Sequence, residues 1–149
     1  MSGRILVAYA SKSNATAMHA GAIAGSLKGA GRDVDIVNLR ENRKPNLDRY
    51  DAVIIGSGVR IGRWYGPAKK FLKRKELAQK KIALFVACGT ACDAEKRAEA
   101  VDDYVTKTAA KFGLKIVSGQ AFAGPMPGNK KPVNTETSEV WGRELAGLL

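Results

Sequence analysis

The first sixteen residues constrain the fold of this chain more than any other segment. An apolar run from Ile5 to Ala10 is followed directly by a hydroxyl-rich turn and then by a helical pattern. A continuous apolar run is typical of a strand that is buried on both faces of a parallel sheet. A helix that starts straight after such a strand collects backbone N–H groups and the positive end of its dipole at one point, which suits a phosphate.

The turn after this strand consists of Ser11, Lys12, Ser13, Asn14, Ala15 and Thr16. Its three hydroxyl groups add hydrogen-bond donors to the backbone amides, so the turn is a candidate anion site. The alternative is that serine and asparagine only cap the helix, because their side chains satisfy the free N–H groups of a first turn. The residues of the turn leave both interpretations open.

A chain of 149 residues with 45% hydrophobic content suffices for one core, so we expect a single domain over residues 1–149. No apolar run reaches the roughly 20 residues of a membrane span, and the N-terminal run is too short for a signal peptide. We therefore expect a cytoplasmic protein without a transmembrane segment. Two cysteines, Cys88 and Cys92, are too few to stabilise a fold of this size through disulfides, and no metal site is predicted.

Much of the net charge of +11 lies in one segment, residues 60–81. This segment carries nine basic residues and one acid, Glu76; the basic residues are Arg60, Arg63, Lys69, Lys70, Lys73, Arg74, Lys75, Lys80 and Lys81. Such a surface attracts anionic partners, although a solvated helix face is the simpler interpretation. Nucleic acid is not an expected partner, because the interleaved aromatic residues of a single-strand platform are missing.

Hydrophobic periodicity predicts strands that alternate with helices. The strands are expected at Arg4–Ala10, Asp33–Leu39, Asp51–Gly56, Lys81–Cys88 and Leu114–Ala123. This alternation predicts βαβ units and an α/β fold, a doubly wound five-stranded parallel sheet of order 2-1-3-4-5 with helices on both faces. Ligands bind to such folds where the strand order reverses, so the loops after the first, third and fourth strands are the candidates.

Four helices are expected between and after these strands. The first, third and fourth helices each have a stripe of residues at helical spacing that we expect to be buried. The stripes are Ala20, Ile23, Ala24 and Leu27 in the first helix; Ala94, Ala98, Val101, Val105, Thr108 and Phe112 in the third; and Trp141, Leu145 and Leu148 in the fourth. Gly29 and Gly31 are expected to end the first helix, Gly66 and Pro67 to begin the second, and Asp93 to cap the third. The adjacent carboxylates Asp102 and Asp103 point in different directions on a helix, so we expect them to be solvated.

The first turn resembles the phosphate loop of flavodoxins, in which two hydroxyl residues, a glycine and a threonine recur at fixed spacing. Ser11, Ser13 and Thr16 match this pattern, and Asn14 stands in place of the glycine. Asparagine tolerates positive φ better than most residues, so the loop can keep its shape. The resemblance implies a flavodoxin-like fold with bound FMN.

The segment from Val53 to Gly66 is similar to the flavodoxin loop beside the flavin ring. It is closer still to the flavodoxin-like protoporphyrinogen oxidases, in which an arginine and a glycine occupy the positions of Arg60 and Gly62. The resemblance implies an FMN site that includes the first turn and residues of two later loops. Those later residues are Ser57, Gly58, Val59, Arg60, Ile61, Gly62, Trp64, Cys88, Gly89, Thr90 and Cys92.

Several residues near this implied site have two interpretations each. Trp64 or Tyr65 could stack on the flavin ring, or Trp64 packs on the helix below it. Cys88 is expected to be a core residue at a strand end, and the alternative is contact with the ring. His19 could cover the flavin or face solvent, and no catalytic role is expected because no nucleophile with a paired base is visible nearby.

Two functions follow from the resemblance. The first is an electron carrier that exchanges electrons with an acidic redox protein such as ferredoxin. The second is an oxidoreductase of the quinone-dependent protoporphyrinogen oxidase type, in which Arg60 and Arg63 hold a small anionic substrate beside the flavin. The basic charge is compatible with both functions, and the short segment 124–132 favours the carrier because the oxidase relatives carry a longer insertion there.

Overall fold

The computed structural model of the protein describes residues 4–10, 14–60, 63–88, 96–123 and 135–149. Some predicted residues lie outside these ranges, namely Ser11, Lys12, Ser13, Ile61, Gly62, Gly89, Thr90, Cys92, Asp93, Ala94 and the segment 124–132. The description of Asn14, Arg60 and Arg63 is limited to their backbone.

Five parallel strands form the central sheet. They are β1 (Arg4–Ala10), β2 (Val34–Asn38), β3 (Tyr50–Arg60), β4 (Lys81–Cys88) and β5 (Ile116–Ala123). Their order is β2-β1-β3-β4-β5, which confirms the predicted order 2-1-3-4-5. A further two-residue strand, Arg63–Trp64, pairs antiparallel with the end of β3 and forms a hairpin with it.

Helices cover both faces of the sheet. They are α1 (Asn14–Gly29), α2 (Gly66–Phe71), a 3₁₀ helix (Lys75–Gln79), α3 and α4 (Glu136–Leu148). The helix α3 consists of an α-helical part, Arg97–Val101, a π-helical part, Asp102–Thr106, and a second α-helical part, Lys107–Lys111. Among the described residues, no helix is both long enough and apolar enough to span a bilayer.

The apolar run of β1 contributes to two separate cores. Ile5 and Val7 pack on one face with α1 and α4, and Leu6 and Ala8 pack on the other with α2 and α3. All four residues are fully buried, as expected of a central strand between two helical layers. The edge strand β2 leaves Ile36 43% exposed, in agreement with its predicted edge position.

The end of α1 and the start of α2 are as the sequence predicts, whereas α1 begins earlier than predicted, since Asn14, Ala15 and Thr16 of the predicted turn belong to the helix. The predicted stripe of α1 is buried, and the helix ends at Gly29. Gly31 follows with a φ of 84°, a left-handed conformation that glycine adopts at little cost. Gly66 and Pro67 begin α2, where the missing N–H of proline costs no helical hydrogen bond.

The predicted buried stripe of α3 is wrong in its first half. Ala98 is exposed, and Ala100, Val105 and Ala109 are the buried residues. The π-helical part explains the difference, because its wider turn shifts the residues that face the sheet. Asp102 and Asp103 are exposed as predicted.

Two further predictions need correction. Leu148 does not share the buried face of α4 with Trp141 and Leu145; it lies one residue from the end of the chain and is 47% exposed. The strand β3 continues beyond its predicted end at Gly56. Gly56 packs against the ring of Phe85 on the neighbouring strand β4, and the last residues of β3 pair with Arg63–Trp64.

Candidate functional site

The carboxyl ends of β1, β3 and β4 lie side by side at one edge of the sheet. Ser57 of β3 is in register with Ala10, the last residue of β1, and with Val86 of β4. The segments that follow these strands therefore start from neighbouring positions. Since β1 lies between β2 and β3, this edge is also where the strand order reverses, which is the usual ligand site of a doubly wound fold.

Thr16 lies in the first turn of α1, at the end of β1. Its side chain is fully buried, and its Oγ1 has no hydrogen-bond partner among the described residues. A buried hydroxyl without a partner costs about 1–3 kcal/mol. The first turn of α1 also lacks an acidic residue, so the positive end of the helix dipole is not neutralised there. These features fit a bound phosphate, which would accept a hydrogen bond from the hydroxyl.

Ser57 fixes the start of the hairpin after β3. Its hydroxyl accepts a hydrogen bond from the backbone N–H of Tyr65 and donates one to the carbonyl of Gly58, both at 2.8 Å. The two bonds hold the base of the hairpin between Val59 and Trp64. The sequence predicts Ser57 only as a contact of the cofactor. The sequence signal for its second role, in the hairpin, is a small hydroxyl residue between two glycines.

Trp64 and Tyr65, the two aromatic candidates, have different surroundings. The Trp64 ring is 8% exposed, and its indole N–H donates a hydrogen bond to the carbonyl of Tyr104 in α3. Trp64 therefore packs on a helix, as one of its two interpretations states. Tyr65 is partly exposed, and the guanidinium carbon of Arg40 lies 5.8 Å from its ring centroid. Stacking of either ring on a flavin stays a prediction.

Cys88 ends β4 and is 4% exposed, with its side chain in the core shared with α2 and α3. This confirms that Cys88 is a core residue at the end of a strand. Ala15, in the first turn of α1, is 2% exposed, whereas Gly58 and Val59 are partly exposed on the hairpin. Contact of these residues with a cofactor stays a prediction.

His19 does not face solvent, which corrects one of its two interpretations. It is fully buried, and its ring stacks on Phe122 with 4.9 Å between the centroids. Its Nδ1 lies 3.0 Å from the hydroxyl of Ser138, which donates its own hydrogen to the carbonyl of Thr135. From this network we assign the Nδ1 as the donor to Ser138. His19 therefore connects α1 with β5 and α4.

The similarity to known proteins agrees with this geometry. A model of the flavodoxin domain family matches residues 6–127. The protoporphyrinogen IX dehydrogenase (quinone) of Escherichia coli strain K12 is 26% identical over 106 residues, which are 70% of this chain and 59% of that protein.

Two solved structures extend the similarity over nearly the whole chain. Oxidised Flavodoxin 2 from Bacillus cereus is 28% identical with a TM-score of 0.66, and the match covers 96% of this chain and 94% of that one. Oxidised Flavodoxin 1 from the same organism is 21% identical with a TM-score of 0.67, covering 98% and 99%. Since the family model spans most of the sequence, the chain belongs to the flavodoxin domain family and is a flavodoxin-type flavoprotein.

Proposed function

We propose that this chain binds FMN and carries electrons between larger redox partners. Membership of the flavodoxin family implies a flavin cofactor, and FMN is the flavin whose terminal phosphate suits the turn after β1. The observation that carries the proposal is the fully buried hydroxyl of Thr16, which has no hydrogen-bond partner in the part of the chain that the structure describes and lies in a first helical turn without an acid. A phosphate at this place would satisfy the hydroxyl.

The residues of this chain would bind and orient the flavin, which supplies the redox chemistry when bound. Backbone amides at the start of α1 and the hydroxyl of Thr16 would hold the phosphate. The hairpin after β3 would lie beside the ring, with its base fixed by Ser57. The second strand of the hairpin is anchored as well, since Trp64 is hydrogen-bonded to α3.

The substitution Thr16→Val tests the phosphate site, because valine keeps the shape and removes the hydroxyl. We expect it to weaken FMN binding by about tenfold or more, since a hydrogen bond to a charged group is lost. Riboflavin lacks the phosphate and serves as the matched ligand, so its affinity should not change. Equilibrium titration of both flavins measures this, and an unchanged FMN affinity would place the phosphate elsewhere.

The substitution Ser13→Asp tests the turn itself by a different route. A carboxylate in the turn would repel the phosphate, so we expect FMN binding to be lost. Riboflavin binding should decrease much less, because riboflavin carries no charge. Equal losses for the two flavins would indicate that the substitution damages the fold rather than a phosphate site.

A second candidate function is the oxidation of a small anionic substrate, as in the protoporphyrinogen oxidases. Two observations favour it, namely the similarity to the Escherichia coli dehydrogenase and the hairpin register, which pairs Arg60 with Arg63. The register places the two arginines at paired positions of the hairpin, and a substrate with two carboxylates would suit two neighbouring cations. The chain spans 59% of the length of that relative, so the activity of the whole relative is a proposal here.

Anaerobic mixing with protoporphyrinogen separates the two functions. The enzyme would bleach the oxidised flavin in the absence of any protein partner, and Arg60→Gln together with Arg63→Gln would slow this reaction. The carrier would leave its flavin oxidised under the same conditions. The carrier would instead accept electrons from a reduced ferredoxin, at a rate that decreases as ionic strength increases.

A further inference from the structure

We propose that a cleft on the flank of α2 is the docking site for an acidic segment of the partner protein, in which carboxylates surround one apolar side chain. The inference rests on the proposed electron-transfer function. The cleft has a volume of about 250 Å³ and lies between α2 and the connection from β2 to β3. Its lining residues are Arg43, Lys44, Pro67, Lys70, Phe71 and Arg74.

The cleft brings cations together from two segments that are distant in sequence. Arg43 and Lys44 belong to the connection between β2 and β3, and Lys70 belongs to α2. All three side chains are exposed, and no carboxylate of the described residues forms an ion pair with them. Their mutual repulsion disfavours the empty cleft, so an anion between them would be stabilised.

Arg74 holds the two walls of the cleft together. Its guanidinium donates hydrogen bonds to the carbonyl of Pro45 on one wall and to the carboxylate of Glu76. The pKa of Glu76 is lowered by a backbone hydrogen bond of its own residue and by Arg74, so Glu76 stays ionised and compensates Arg74. The charge of Arg74 is therefore already satisfied, and the other three cations are left for a ligand.

The size and the walls of the cleft indicate what it binds. Small-molecule sites usually enclose about 300–1,000 Å³, so a volume of about 250 Å³ suits a few side chains better than a whole cofactor. Pro67 supplies partly exposed apolar surface in the lining, whereas Phe71 is 1% exposed and the guanidinium carbon of Arg74 lies 5.5 Å from its ring centroid. Lys73 and Lys75 are exposed beyond the cleft and extend the basic surface further than a small ligand would reach. These features fit a protein segment that is both acidic and apolar.

The cleft lies close to the carboxyl edge of the sheet. The helix α2 starts at Gly66, just after the hairpin strand that pairs with the end of β3. At a rise of about 1.5 Å per residue, Phe71 is only about 8 Å further along the helix. Tyr65, directly before α2, has the guanidinium carbon of Arg40 at 5.8 Å from its ring centroid. A partner docked there would therefore be near the proposed flavin site.

A peptide in which several glutamates flank one phenylalanine is a suitable probe, and its binding can be followed by fluorescence anisotropy at low ionic strength. We expect R43E with K70E to weaken binding by about tenfold. The matched control is R143E with K115E, which changes the net charge equally at exposed residues outside the cleft and should change binding by less than about threefold. Replacing the phenylalanine of the probe by glycine should weaken its binding to the unmodified protein.

Equal weakening by the two double variants would mean that the peptide senses only the net charge, and this result would overturn the proposal. Undetectable binding to the unmodified protein would overturn it as well. A single-stranded oligonucleotide that outcompetes the peptide would reassign the cleft to nucleic acid. FMN titration of the same proteins is a separate measurement, so a protein that binds the peptide but no FMN would refute the proposed function without refuting the cleft.

Discussion

The indole Nε1 of Trp64 donates a hydrogen bond to the backbone carbonyl of Tyr104 at 2.6 Å. Trp64 belongs to the hairpin strand after β3, and Tyr104 belongs to the π-helical part of α3, the helix that follows β4. One bond therefore connects the chain segment that follows β3 with the helix that follows β4. The position of the hairpin depends on α3 as well as on β3.

We expect Trp64→Phe to lower the free energy of unfolding by about 1–3 kcal/mol, because the carbonyl of Tyr104 loses its partner. It should also weaken FMN binding, since the hairpin loses its anchor. The control is Trp141→Phe, which removes an indole hydrogen bond to Ser118 on the other face of the sheet. Urea unfolding should show a loss in both variants, and flavin titration should show a loss only in the first. If Trp64→Phe binds FMN as tightly as Trp141→Phe does, Trp64 does not anchor the hairpin for flavin binding.

Two glycine-to-alanine substitutions should have opposite effects. A Cβ on Gly56 would collide with the ring of Phe85, so Gly56→Ala should destabilise the protein by about 1–3 kcal/mol or more. A Cβ on Gly25 would meet no atom within 4 Å on the exposed side of α1, so Gly25→Ala should stabilise by about 0.5–1 kcal/mol. Thermal unfolding measures both, and a destabilised Gly25→Ala variant would refute this account of α1.

His19 should matter for stability and not for electron transfer. We expect His19→Leu to lower the free energy of unfolding by about 1–3 kcal/mol, because the hydrogen bond to Ser138 and the ring contact with Phe122 are both lost. His19→Phe keeps an aromatic ring and should recover part of the loss. The midpoint potential of the bound flavin should be the same in all three proteins, and a shifted potential would show that His19 acts on the cofactor.

Tyr50 should make the protein sensitive to alkaline pH. Burial and a hydrogen bond to Asp35 raise the pKa of Tyr50 above its ordinary value of 10.0. The unfolded chain then loses this proton at lower pH than the folded protein, so the contribution of Tyr50 is complete below pH 10 and is lost as the pH rises through the raised pKa. The stability difference between the native protein and Tyr50→Phe should therefore shrink above pH 10. A difference that is independent of pH would contradict the raised pKa.

Strand order and the helix ends were predictable because they depend on local patterns. The apolar run of β1 has to be buried on both faces wherever it lies, and Gly31 ends α1 through its own backbone conformation. The buried face of α3 was not predictable in the same way. Periodicity assumes a regular α-helix, and the π-helical part Asp102–Thr106 changes the phase between Ala100 and Val105.

The candidate site was predictable in its location and less so in its contacts. The turn before α1 pointed to an anion, and the burial of Thr16 without a hydrogen-bond partner among the residues described is compatible with that hypothesis. Trp64 is hydrogen-bonded to a residue 40 positions away in the sequence, and His19 to a residue 119 positions away. No short-range sequence pattern could reveal these contacts. Arg43 and Lys44 lie outside the basic segment and reach the cleft only because the connection between β2 and β3 lies beside α2 in space.

The hydroxyl of Thr16, for which residues 4–10, 14–60, 63–88, 96–123 and 135–149 supply no partner, also has a consequence for the protein in a cell. A chain that buries a polar group without a partner is less stable until a ligand supplies one, and binding to the folded state alone raises stability by mass action. At a free ligand concentration of about 100 times Kd, this gain is about 2.7 kcal/mol. Quality-control proteases act on the unfolded fraction. The abundance of this protein would therefore follow the supply of its cofactor, even at a constant rate of synthesis.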